Sequence, residues 1–198
     1  MNLRQLLAIA LIVIIVIIVG YMAYTLTKPR EHISILSEQL SKPMTITVYS
    51  PAFSYGSRIL VKYTCNGQDI SIPIEWDNKT LPENTKSLVL VMYDPDAPRG
   101  IFIHWIIYNI PLNITSIPEG LPKTPIVKGI GIQGRNDFGE IGYRGPCPPS
   151  GSMHRYYVRL FALDTVLDLK PGATLEELEK AIINHILAYG EFMGTYGR

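Results

Sequence analysis

The chain has 198 residues, 47% of them hydrophobic, with 18 Lys and Arg against 17 Asp and Glu and a formal charge of +1. That length suits one well-packed domain rather than two, and the near-neutral balance excludes a nucleic-acid binder that works through bulk charge. The 15 prolines and 16 glycines are spread without a period, so they mark turns in a loop-rich fold and exclude repeat or low-complexity architecture.

In chain order, the first element is apolar throughout. Residues 6–19, "LLAIALIVIIVIIV", carry no polar side chain, and the apolar character runs on to Leu26. About 20 residues in a helix cross ~30 Å of hydrocarbon. A core helix would show a polar stripe, and a cleaved leader would end in a clearer small-x-small site than "GYMAYTLT". Residues 1–27 are therefore expected to be a transmembrane anchor, in contact with the membrane through residues 6–26. The short amino-terminal flank makes a single pass in the cell membrane with an extracytoplasmic domain the simplest arrangement. Residues 28–43, "KPREHISILSEQLSKP", read as a polar tether, and residues 44–198 as the folded domain.

From Met44 the pattern becomes β-like. Residues 45–50, 87–93, 102–110 and 155–163 are rich in Val, Ile, Tyr, Phe and Trp and are bounded by Pro, Gly, Asn or Asp. With nothing helical between them to carry parallel crossovers, they are expected to pair mainly antiparallel. The one soluble helix is expected in "TLEELEKAIINHILAYG", capped by Thr174 and Glu177, with Leu175, Leu178, Ile182, Ile186 and Tyr189 on one face and Gly190 ending it. On that reading His185 packs beside the apolar face.

Two apparent motifs carry nothing. Gly129, Gly131 and Gly134 spell a dinucleotide fingerprint, but the following "RNDFGEIGYRGPCPP" cannot form the helix it needs. Ser150 and Ser152 lie near His154 but not on a strand-turn-helix elbow.

Two passages remain. "DPDAPRGIFIHW" places Asp94 and Asp96 ahead of a core-like run that contains His104. "GYRGPCPPSGSMHRY" is a rigid Pro/Gly loop that feeds a strand opening near His154. Together they resemble the paired signature of the phosphatidylethanolamine-binding protein family, the Raf kinase inhibitor-like proteins, in its bacterial and archaeal branch. "YTCNGQDISIPIEW", "NDFGEIGY" and "PGATLEELEKAIINHILA" are similar to the same branch. The resemblance covers most of residues 44–198. It implies a mainly β, sandwich-like fold with a large antiparallel sheet, a smaller sheet and few helices, and a surface pocket for phosphate or phosphoryl headgroups. Carried over by position, that pocket comprises Asp94, Phe102, His104, Tyr143, Gly145, Pro149, His154 and Tyr156. The resemblance also implies a cis Ala97–Pro98 bond.

On physical grounds Asp94 is expected to orient His104 and raise its proton affinity. Protonated His104 and His154 would then donate to phosphoryl oxygens, with backbone N–H groups between Gly145 and Gly151 as further donors. The residues alone leave open a plainer role, with the acids as turn-formers and the histidines as satisfied polar groups. Cys65 and Cys147 flank the same region. An oxidising compartment permits a bridge between them, and two buried free thiols are the other possibility. The acceptor patterns "NKT" at 78–80 and "NIT" at 113–115 are weak pointers to an external domain.

The expected function is a membrane-anchored, non-enzymatic binding protein for phosphate or phospholipid-like headgroups. No metal or cofactor is called for, because the ligand spacing is loose and no nucleophile is evident. The alternative is an inhibitor that docks a serine protease or kinase through the stiff "RGPCPPSG" loop, which loses little entropy on binding. A nucleic-acid partner is not expected.

Overall fold

The computed structural model describes residues 34–36 and 41–198. The expected anchor over residues 6–26 lies outside them, and among the described residues no helix is long and apolar enough to cross a membrane. Residues Ile35–Arg198 form one compact unit.

The fold is mainly β, as expected. A six-stranded antiparallel sheet has the order β6-β7-β4-β3-β8-β9, built from β3 (Ser87–Asp94), β4 (Phe102–Ile110), β6 (Ile126–Val127), β7 (Gly131–Gln133), β8 (Met153–Leu163) and β9 (Ile186–Gly197). A smaller antiparallel sheet has the order β1-β2-β5, from β1 (Val48–Tyr49), β2 (Ile74–Trp76) and β5 (Ser116–Ile117).

The continuous apolar run of β3 follows from burial on both faces. Leu88, Leu90 and Met92 face a core shared with Val48, Ile74, Trp76 and Ile117 of the small sheet. Val89, Val91 and Tyr93 face a second core closed by the helix α1 (Leu175–Ile182), through Leu178 and Ile182. Ile35 and Leu36 are buried in that second core. The Ile35 amide donates to Glu179 at 3.0 Å, and its carbonyl accepts from Arg159 Nη1 at 2.8 Å. The segment read as a polar tether is thus seated on the domain at these two residues.

Three expectations are corrected. Helix α1 starts as read, with Thr174 and Glu177 forming a reciprocal capping box, but it ends at Ile182 and the chain turns into β9. From Ile186 the burial alternates with period two, and β9 pairs with β8 from Met153↔Gly197 to Leu163↔Ile186. Gly190 belongs to this strand: a Cβ there would collide with the Ile46 carbonyl. His185 is consequently no packing residue. It is exposed in the turn and bonds Asp164 at 2.7 Å. Finally, the described peptide bonds are all trans, Ala97–Pro98 included. The turn is closed instead by Asp94 Oδ1 accepting from the Asp96 amide at 2.8 Å and by a 3.0 Å bond from the Gly100 amide to the Ala97 carbonyl.

Cys65 and Cys147 form a disulfide, with Cα atoms 5.4 Å apart and a sequence separation of 82. Asn78 of the first acceptor pattern commits its amide to Trp76 Nε1 and the Leu112 carbonyl, at 2.9 and 3.2 Å.

Candidate ligand-binding site

Residues two apart on a strand share a face, so β4 presents Phe102 and His104 together and β8 presents His154 and Tyr156 together. Between these strands, β3 ends at Asp94, paired with Phe102. The rings converge: His104 lies edge-on to Tyr156 at 5.2 Å, and Tyr156 stacks with His154 at 6.4 Å. Asp94, His104, His154 and Tyr156 are all buried, whereas Phe138, 4.8 Å from Phe102 and 5.5 Å from His104, is exposed and forms the outer wall.

The pairing differs from the expected one. Asp94 Oδ2 accepts from His154 Nδ1 at 2.7 Å, while His104 Nδ1 bonds the Arg144 carbonyl at 2.7 Å. Asp94 therefore orients His154, and a backbone carbonyl orients His104. Burial pushes His104 below the usual imidazole range, and it outweighs the opposing pull of the Arg144 carbonyl, Asp94, Asp137 and Asp69. The expected rise in proton affinity is reversed because His104 is buried without a carboxylate on its ring.

Carbonyl and carboxylate oxygens only accept, so both Nδ1 atoms carry hydrogen and Nε2 is the nitrogen of each ring left to a ligand. Neither Nε2 has a hydrogen-bond partner among the described residues. Among the described residues, the buried side-chain polar atoms without a close hydrogen bond are Arg144 Nε and the Tyr156 hydroxyl. The first lies 3.4 Å from Asp69 Oδ2. Among the described residues the Tyr156 hydroxyl alone is left without a close partner, with the Asp94 carboxylate facing it at longer range. Burial, and then the charge and hydrogen bonding of the neighbouring Asp94 carboxylate, hold its phenol well above the usual range, so it stays an O–H.

Three carried-over positions support the site instead of lining it. The Tyr143 hydroxyl donates to the Tyr63 carbonyl at 2.7 Å, inside the core. The Gly145 amide donates to Asp69 Oδ1 at 2.7 Å, and its lack of a side chain is required because a Cβ would meet the Tyr63 carbonyl. Pro149 is exposed, with its carbonyl taken by the Ser152 amide and hydroxyl. With Pro146, Pro148 and Pro149 lacking N–H, the loop has few donors to offer an anion.

Sequence reasoning missed two residues. Asp69 gathers the Gly145 amide, Lys123 at 2.9 Å and Arg144 at 3.4 Å, which pins the loop under the site. Phe138 sat in the quoted "NDFGEIGY", and the aromatic within that Asn-Asp-Gly turn was the available signal.

The phosphatidylethanolamine-binding protein model matches residues 49–197, a span that includes every residue of this site. The chain belongs to the phosphatidylethanolamine-binding protein family. A UPF0098 protein of Pyrococcus horikoshii is 53% identical over 152 residues, which is 75% of this chain and 75% of that protein. A crystal structure described as a phosphatidylethanolamine-binding protein homologue from Chlamydia trachomatis has a TM-score of 0.70 at 42% identity and covers 78% of this chain and 98% of its own. E. coli YbcL, described as a member of the mammalian family, has a TM-score of 0.70 at 30% identity and covers 78% and 99%. The phosphatidylethanolamine-binding protein match leaves residues 1–48 outside it.

Proposed function

We propose that this protein is a non-enzymatic binding protein for phosphoryl-type oxyanions, held at the cell membrane by residues 6–26 with its domain outside. The observation that carries the reading is the buried Tyr156 hydroxyl, which makes no close hydrogen bond and faces only the Asp94 carboxylate, beside two imidazoles held through Nδ1 with Nε2 left to a ligand. An unpaired buried hydroxyl costs about 1–3 kcal/mol, and a ligand oxygen would relieve that cost. The site has an acid and bases but no activated nucleophile: its one hydroxyl is a phenol pushed up by burial. Binding without turnover is the chemistry such a set supports. The disulfide fits an oxidising compartment.

Tyr156→Phe tests the reading without disturbing the fold. Removing a hydroxyl that makes no close hydrogen bond and only faces Asp94 should change stability little, while affinity for inorganic phosphate falls about tenfold, or about 1.4 kcal/mol. Calorimetric titration of the full chain in mild detergent measures the second effect and thermal unfolding the first. Equal affinity in both proteins would remove this site from the function. Surface proteolysis of intact cells tests the placement: an extracytoplasmic domain is digested while cytosolic markers survive.

A further inference from the structure

The fold separates the two glycosylation acceptor patterns, which look alike in the sequence. Given the extracytoplasmic placement proposed above, we infer that Asn113 is a site of N-linked glycosylation, taking an oligosaccharide from a lipid-phosphate donor at the outer face of the membrane, and that Asn78 is not.

The Asn-x-Ser/Thr pattern works through two groups, the asparagine amide that receives the sugar and the hydroxyl two residues on. A transferase has to reach both from one side of the chain. In residues 78–80 both are committed. Asn78 Oδ1 accepts from Trp76 Nε1 at 2.9 Å, and its Nδ2 donates to the Leu112 carbonyl at 3.2 Å. The Thr80 hydroxyl donates to the Asp77 carbonyl at 2.6 Å and accepts from the Thr47 amide at 3.1 Å. Pulling Asn78 out would unwind the short helical turn Asn78–Thr80 and leave the N–H of buried Trp76 without its acceptor.

Residues 113–115 are arranged the opposite way. They lie in the connection from β4 to β5, where Leu112 and Ile114 pack against the first core. That alternation turns Asn113 and Thr115 outward together, and both are exposed. The connection is held through its carbonyls: that of Leu112 accepts from Asn78, and that of Thr115 accepts from the Trp76 amide at 3.0 Å. Among the described residues no hydrogen bond uses the Asn113 amide or the Thr115 hydroxyl, so a transferase can take both without breaking one.

In the transfer, Asn113 Nδ2 bonds the anomeric carbon of the first sugar, and the bond from that carbon to the donor's phosphate oxygen breaks. The lipid phosphate leaves with the electron pair, and one amide proton passes to a base of the transferase. Nothing is oxidised or reduced. The strand β4 rises about 20 Å from His104 to Ile110, and Asn113 lies beyond that end, so the glycan stands clear of the ligand site. It would cover the approach to β5, an edge strand of the small sheet.

Peptide mass spectrometry of the full chain, isolated from the membranes of the cells that naturally make it, decides the matter. Trypsin separates the two patterns, because Asn78 falls in residues 63–79 and Asn113 in residues 100–123. The second peptide should carry an oligosaccharide mass on Asn113, lost in Asn113→Gln and in Thr115→Val but kept in Thr115→Ser, while the first is unmodified. An unmodified 100–123 peptide on a domain that surface protease digests overturns this inference and leaves the placement standing. The same peptide unmodified on a domain protected in intact cells overturns both. Sugar on Asn78 overturns it as well, since the fold would then make no choice. The phosphate titration of Tyr156→Phe is independent of all these outcomes.

Discussion

Asp94 determines which nitrogen of His154 carries the proton, since its Oδ2 can only accept. Its Oδ1 is held by the Asp96 amide. In Asp94→Asn the side-chain oxygen keeps that amide, so the new NH2 faces His154 Nδ1 and forces the proton to Nε2. Nitrogen NMR of the ring should show the tautomer switch, at a stability cost of about 1 kcal/mol for trading a charged bond for a neutral one. His104 gives a pH dependence whose sign follows from its depressed proton affinity. Because the unfolded ring binds its proton near pH ~6.5 and the folded ring only at lower pH, stability is full above that value and is lost as pH falls through the folded pKa. His104→Gln can still donate to the Arg144 carbonyl but does not titrate, so its melting temperature should fall less steeply on acidification. Parallel thermal melts between about pH 7 and pH 4.5 read the difference. Asp96 adds a smaller slope further down. Its bonds to the Arg155 side chain hold its carboxyl at about 2, so that exposed pair is lost only in strong acid.

At the scale of elements, the long strands were legible because their signals were local. β3, β4 and β8 are dense in β-branched and aromatic residues and are cut by Pro, Gly or Asp at their ends. The helix start was legible for the same reason, as a capping box needs only Thr174 and Glu177. Its end was not. Ile182 and Ile186 stand four apart and fit a helical face, yet Ile186, Ala188, Gly190, Phe192, Gly194 and Tyr196 also alternate, and the long edge of β8 decides for the strand. At the site, residue identities were visible in the two motifs but the pairing was not. Asp94 lies nearer His104 in sequence, and only the β3–β8 register delivers it to His154. Gly190→Ala tests the strand assignment: its Cβ would strike the Ile46 carbonyl, so about 1–3 kcal/mol should be lost in denaturant unfolding. A helix at that position would instead gain from alanine.

For the whole molecule, the bridge between Cys65 and Cys147 ties the loop that carries Arg144 and Gly145 to the segment that carries Tyr63 and Thr64. Across 82 positions a cross-link stabilises by about 4 kcal/mol on the chain-entropy account, so reductant or a Cys65→Ser, Cys147→Ser double variant should lower the melting temperature markedly. The same treatment should loosen ligand binding, because the Arg144 carbonyl sets the orientation of His104. The seating of Ile35 bears on where the folding unit begins. Its amide is held by Glu179 and its carbonyl by Arg159, ahead of the bonds that residues 43–46 make to Tyr189. The edge of the unit therefore lies upstream of residue 44, and a fragment trimmed to the family match would leave an apolar notch in the second core where the Ile35 and Leu36 side chains sit.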